Sequence, residues 1–203
     1  LRPVCYGGTT IPALLIGNHI YCKVWILSDR LRIMENHRNG SVQSSGAAND
    51  DAEMFDLAPV SLWLEDYSEL KARFDGWRAQ GITDLRAHFA ADSVRVRECS
   101  ACIRLIKVNR KTLTLFEAKD TADLVANLDR VFRDDMLAAH VEELVQLWEG
   151  KPSFESHTVN YTLSGKRIDI QLHGRVLPGY EENWQRVLVA IEDVTERENA
   201  RRK

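Results

Sequence analysis

Ile103-Arg104-Leu105-Ile106-Lys107-Val108-Asn109, followed by Leu113-x-x-Phe116, is the stretch on which the architecture turns. Ile103 to Val108 is rich in β-branched residues and reads as a strand, and Asn109 is a natural cap for a helix carrying Leu113 and Phe116. Beyond a short turn capped at Thr121 comes the clearest helix. Leu137, Val141, Leu144 and Trp148 recur at i, i+4, i+7 and i+11, the stripe of a helix laid on a sheet, and Gly150 with Pro152 ends it. The period then becomes two. Phe154 to Leu163 connects through Ser164-Gly165 to a strand in which Ile168, Ile170 and Leu172 alternate with Arg167, Asp169, Gln171 and His173, which predicts a hairpin. Leu177-Pro178-Gly179-Tyr180 makes the next connection, and Gln185 to Ile191 alternates again with Val187, Val189 and Ile191 on one face.

Upstream, Pro59 to Asp66 carries Val60, Leu62, Trp63 and Leu64 and suits a strand. Ser68 can cap a helix with Leu70, Phe74 and Trp77 on one face and Gly81 at its end; Thr83 can cap a second with Leu85 and Phe89, and Asp92 to Glu98 continues as a solvated helix or loop. Together these predict a helical hairpin over 68–102. A strand, a helical crossover and a closing antiparallel meander give an α+β domain whose helices cover one face of a single sheet.

The chain has 203 residues, 44% hydrophobic and 28% charged, which excludes wholesale disorder and a polytopic membrane protein. Its net charge of -3 creates no positive field for nucleic acid, so no nucleic-acid partner is expected. Cys5, Cys22, Cys99 and Cys102 are too few for a disulfide scaffold and suit a reducing cytoplasm. Cys99-x-x-Cys102 lacks a second ligand pair, so it reads as small apolar packing and no metal is expected. Ile11 to Leu27 is interrupted by Asn18, His19 and Lys23 and is too polar to span a membrane. Val24-Trp25-Ile26-Leu27 has strand-like composition, and Asn36 to Asp51 reads as a flexible linker. Residues 1–54 hold five basic and five acidic side chains and form a neutral arm of unknown role, with a boundary near residue 54. The first residue is Leu rather than Met, which suggests a fragment or a processed product.

The strand and helix over 103–116, the long helix, and three strands ending Ile191-Glu192-Asp193-Val194-Thr195-Glu196-Arg197 resemble the PAS sensor family, with Ala58 to Tyr67 similar to its opening strand. The resemblance covers 55–203 and implies a PAS-like antiparallel sheet over 55–194, with 68–102 an insertion that covers the pocket or meets a partner subunit. It departs from the family after Phe116, where Glu117-Ala118 stands in place of glycine and an aromatic, so the turn is expected to be less tight. Thr195-x-x-Glu198 reads as a capping box opening a helix over 195–203. In the family the acidic and basic members of this PAC motif hold the strand end against a signalling helix leading to an output domain. Asp193, Thr195 and Arg197 are therefore the candidate transmission residues.

The expected pocket lies between sheet and helices, lined by Leu105, Leu113, Phe116, Leu137, Val141, Trp148, Leu172 and Val189. Neither Cys99 nor Cys102 sits in the Asn-Cys-Arg-Phe-Leu-Gln context of flavin-binding light sensors, so a flavin is not expected. Haem-binding members take a histidine in or near the long helix, where His140 lies, although a histidine beside a buried stripe is more often a boundary residue. Asp134-Asp135 and Glu142-Glu143 read as a solvated helix surface, His157 and His173 as solvent-facing, and no catalytic motif is present. The resemblance implies a cytoplasmic sensory module, a homodimer, that binds a small molecule or a partner. Its output would be a histidine kinase, as in two-component systems, or a diguanylate cyclase. Two alternatives remain: a ligand-free dimerisation or scaffold module with a filled interior, and a haem-based redox sensor.

Overall fold

The computed structural model describes residues 45–202; Val24 to Leu27 and the rest of 1–44 lie outside the described residues. After a helix, α1 (Ser45–Leu57), the chain forms β1 (Ser61–Asp66), α2 (Ser68–Ala79), α3 (Leu85–Ala91), α4 (Val94–Ala101), β2 (Arg104–Val108), α5 (Arg110–Phe116), α6 (Thr121–Ala126) and α7 (Leu128–Val131). A 3₁₀ turn at Asp134–Met136 leads into α8 (Leu137–Trp148), followed by β3 (Ser153–Tyr161), β4 (Arg167–Val176), β5 (Val187–Asp193) and α9 (Thr195–Arg201). The strands form one antiparallel sheet in the order β2-β1-β5-β4-β3. It is the expected α+β architecture, with helices packed on a single antiparallel sheet.

Pairing register defines the core face of the sheet, because directly opposed residues share a face. One row joins Phe154, Gly174, Val189, Trp63 and Val108; the next joins Val176, Val187, Glu65 and Leu105. A register shift between Leu64 and Glu65 bends β1 against β2. Gly174 is demanded by packing: a Cβ built there would lie 2.6 Å from Phe154 Cε1 and closer still to Cζ.

Asn109 caps α5, accepting from Thr112 N–H (3.0 Å), but it also ties the helix to β1. Its Oδ1 accepts from Leu62 N (3.0 Å) and its Nδ2 donates to Val60 O (2.9 Å). Thr112 Oγ1 and Ser61 Oγ, 2.8 Å apart, extend this buried network to Trp63, whose Nε1 donates to Ser61 Oγ at 3.1 Å. Every polar group it buries is thereby paired, the condition for a polar network to be tolerated in a core. Glu117 ends α5 with φ 59, the left-handed conformation that glycine adopts freely, so the turn is as tight with glutamate as with glycine.

Several local expectations change. The predicted hairpin over 68–102 is three helices, because Val96 and Cys99 are buried and draw 94–101 into a helix of its own. The caps are Asp84 for α3 and Asp120 for α6, in place of Thr83 and Thr121. Helix α1 begins inside the Asn36–Asp51 stretch of linker composition and runs past residue 54. Asp56 fastens its last turn, accepting from Arg110 N (3.0 Å) and pairing with Arg110 Nη2 (2.9 Å), while the Lys107 ammonium lies 4.2 Å from the Phe55 ring centre. Tertiary contacts here override a weak local propensity.

Candidate functional site

The site is the seam between α8 and the sheet, together with the joint by which α9 leaves it. Helix α8 has the apolar periodicity of a sheet-covering helix, but its deeply buried residues are His140, Glu143, Leu144, Val145 and Leu147. Leu137, Val141 and Trp148 of the predicted stripe are only partly buried. Glu143 therefore corrects the expectation of a solvated acidic pair: Glu142 is on the surface, paired with Arg86, while Glu143 is 5% exposed.

The buried polar side chains meet. His140 Nδ1 lies 2.9 Å from Glu143 Oε2, and Ser156 on β3 donates to Glu143 Oε1. Tyr67, 5% exposed, donates from Oη to Glu65 Oε2 at 3.0 Å, its ring 6.2 Å from that of Phe154. Glu65 keeps partial exposure as a residue, yet desolvation of its carboxyl pushes its pKa from 4.5 up to about 7. The Tyr67 hydrogen bond and His140 work against that rise, and the Glu143 carboxylate adds to it. Tyr67 is held well above the usual phenol range, first by burial and then by Glu65 and Glu143, so it stays a donor. His140 Nε2 and Asn160 Nδ2 are buried without a hydrogen-bond partner. Sequence reading missed Glu65, Tyr67, Glu143 and Ser156; the available signal was a glutamate on the inward phase of a strand.

Of the predicted pocket residues, Phe116 and Val189 are fully buried, and Leu105, Leu113, Leu137, Val141 and Leu172 pack at the edge of the same core. Trp148 instead meets α2 and the turn after it: its ring is edge-on to Phe74 at 5.3 Å, its Nε1 donates to Thr83 O, and the Arg78 guanidinium stacks 4.3 Å from its centre. Between them the seam is filled by Trp63, with Phe116 edge-to-face at 5.6 Å and Phe132 at 5.8 Å. Two grooves of about 590 and 530 Å³ lie on the outside, flanking α8 and β3; none of the eight predicted residues lines either. Ser156 lines the second groove and bonds Glu143, linking the buried cluster to solvent.

His157 and His173 are half-exposed, as their strand phase predicts. Cys99 and Cys102 are free and buried, and burial pushes the Cys99 thiol up to about 12, which keeps it an unreactive packing group. Among the described residues, no cluster of three or more His, Cys, Asp or Glu could hold a metal, and no helix is long and apolar enough to cross a membrane.

The joint is built differently from a capping box. Thr195 is the first residue of α9, and the cap position is Val194, whose side chain makes no capping bond. Asp193 Oδ1 accepts from Thr195 N (2.9 Å), while Thr195 Oγ1 accepts from Asp169 N (2.9 Å) on β4. Val194 N donates to Asp169 O at 2.8 Å. Arg197 donates to Gln171 Oε1 (3.0 Å) rather than pairing with Asp193, because β4 presents that amide beside the first turn of α9. Asp169 was expected to alternate outward, yet it is 3% exposed, paired with Arg167 (3.1 Å) and facing Arg202 (3.6 Å) near the end of α9.

No family model and no curated protein matches the chain. Among solved structures it is similar to the PAS domain of a protein from Colwellia psychrerythraea, with 11% identity and a TM-score of 0.48 over 74% of this chain and 98% of that one. It is also similar to the light-oxygen-voltage domain of the Erythrobacter litoralis EL346 blue-light activated histidine kinase, with 17% identity and a TM-score of 0.43 over 68% and 97%. A third is a domain of a sensory box sensor histidine kinase/response regulator from Geobacter sulfurreducens, with 12% identity and a TM-score of 0.44 over 76% and 100%.

Proposed function

We propose that this PAS-like chain is a cytoplasmic sensory module. It changes state on binding a small molecule or a partner, and relays that state through α9 to an output domain of the histidine kinase or diguanylate cyclase type. One observation carries the reading: α9 is hydrogen-bonded through Thr195 to the backbone of buried Asp169, and Arg202, beyond its last turn, faces the same carboxylate. A strand and an outgoing helix joined at both ends of the helix move as one body, so a shift of β4 is passed on without loss. Asp193 and Arg197 complete the joint through the Thr195 amide and Gln171.

The test is made in the longer protein, by measuring signal-dependent output of a Thr195→Val, Arg197→Ala double variant. Output that no longer follows the signal, with folding retained, supports the relay. Normal regulated output reduces the joint to a fold-stabilising contact.

A second reading, a ligand-free scaffold or dimerisation module, is favoured by the Trp63, Phe116 and Phe132 rings that fill the seam. Sedimentation and native mass spectrometry separate the two, since a scaffold gives a dimer with no bound small molecule.

A further inference from the structure

A globular core normally holds charged groups only as closed pairs. Here five polar side chains converge on the α8–sheet seam from three places: Glu65 and Tyr67 from β1 and its end, His140 and Glu143 from α8, and Ser156 from β3. Glu143 has two partners, the Ser156 hydroxyl, which donates to it, and His140 Nδ1. Glu65 has the Tyr67 hydroxyl, with a second carboxylate, Glu143, acting on it across the seam.

We propose that this cluster is a proton-binding site, and that the proton is a signal the module reads. With the proton on Glu65, that carboxyl adds no charge to the seam, and α8 sits closed on the sheet. Loss of that proton leaves a charge on Glu65 in a desolvated seam where Glu143 acts against it, and the repulsion loosens α8 against the sheet. Ser156 provides the contact with water, since it reaches the outer groove on one side and Glu143 on the other. This deepens the sensory reading of the preceding subsection and rests on it for its meaning, though not for its chemistry.

The groups that face Glu65 are few. From α8 these are His140 and Glu143, and from the end of β1 Tyr67, while Ser156 of β3 bonds to Glu143 behind them. On the same sheet face β4 and β5 present Leu172, Gly174, Val176, Val187, Val189 and Ile191, with Asp193 at the far end of β5 bonded to the Thr195 amide, and β2 presents Leu105. Charged neighbours are engaged elsewhere: Asp66 with Arg104 (2.8 Å), Glu142 with Arg86, and Lys71 with Asp75. Burial of the carboxyl, together with Glu143, puts its titration near neutrality, where cytoplasmic pH changes act on it.

The experiment is an NMR pH titration of the whole chain from pH 5 to 9, following the Glu65 side-chain carboxyl carbon and the backbone amides of α8. The expected result is a single midpoint near 7 for Glu65, shared by the α8 amides. Glu65→Gln should abolish the shared α8 transition. Tyr67→Phe, which removes the hydrogen bond that favours the ionised form, should move the midpoint upward. Should Glu65→Gln fail to fold, the wild-type and Tyr67→Phe titrations decide alone. A Glu65 carboxyl that titrates below pH 5, or one that titrates near 7 while α8 stays silent, overturns the proposal. Because no output is measured, failure of the relay in the longer protein would overturn the sensory reading and leave the proton site standing.

Discussion

Gly174→Ala is a small change with a large expected consequence. Gly174 lies mid-strand in β4 with no positive φ, so alanine fits its backbone, and intrinsic preference alone predicts a gain of roughly 0.5–1 kcal/mol. The packing predicts the reverse. The new Cβ would stand 2.6 Å from Phe154 Cε1, well inside van der Waals contact, and Phe154 is 4% exposed, held between Gly174 and the Tyr67 ring at 6.2 Å. The ring cannot turn aside without leaving the core, so relief comes from moving β3 or expelling the aromatic. Overpacking costs about 1–3 kcal/mol, and losing a buried Phe about 3–5, so the net should be a loss of roughly 2–4 kcal/mol. At about 2–4 °C per kcal/mol for a chain of this size, the midpoint should fall by roughly 5–15 °C. Urea unfolding of wild type, Gly174→Ala, Phe154→Ala and the double variant closes the cycle. In the Phe154→Ala background the glycine substitution should be within about 0.5 kcal/mol of neutral, since the ring it strikes is gone. Wild-type stability in Gly174→Ala, or an undiminished cost in the double variant, would refute the reasoning.

Asn109→Ala removes the α5 cap and the partner of the part-buried Leu62 N–H and Val60 carbonyl, so chemical denaturation should show a loss of about 2 kcal/mol. Thr195→Ala leaves the amide of buried Asp169 unpaired, and should cost about 1–3 kcal/mol in thermal or urea unfolding, more than an exposed helix-start position would. The raised pKa of Glu65 means that the folded chain binds more protons than the unfolded one between pH 4.5 and about 7, so stability should fall as pH rises through that window. At about 1.4 kcal/mol per pH unit the loss approaches about 3.5 kcal/mol above pH 7, and Glu65→Gln should flatten it in urea midpoints taken at pH 5 and 8.

Much of the fold is legible from local pattern. The alternation over Ile168–Leu172 and Val187–Ile191, the Asn109 cap and the apolar stripe of α8 are decided by side-chain period and short-range hydrogen bonding, which act within a few residues. The same locality explains the misses. Asp169 alternates outward by pattern, but Arg167, Arg202 and the Thr195 hydroxyl converge on it. Thr195-x-x-Glu198 has the letters of a capping box, but Asp169 N–H reaches the hydroxyl from β4 and takes it from the helix.

In α8 the division is clearest. Sequence alone determined that 137–148 is a helix with an apolar side, and that the end of the chain after Asp193 turns into another helix. It could not determine which residues of α8 meet the sheet most closely, because a helix can roll by a few tens of degrees and still bury a leucine stripe. The tertiary structure rolled it so that His140 and Glu143 face inward, where Ser156 meets the carboxylate and Glu65 and Tyr67 stand across the seam. Such a roll is set by hydrogen bonds between residues that are far apart in the chain and by the Trp63, Phe116 and Phe132 rings that fill the remaining volume. Those forces have no counterpart in the period of the sequence, so the apolar shell of the module could be read there and its polar centre could not.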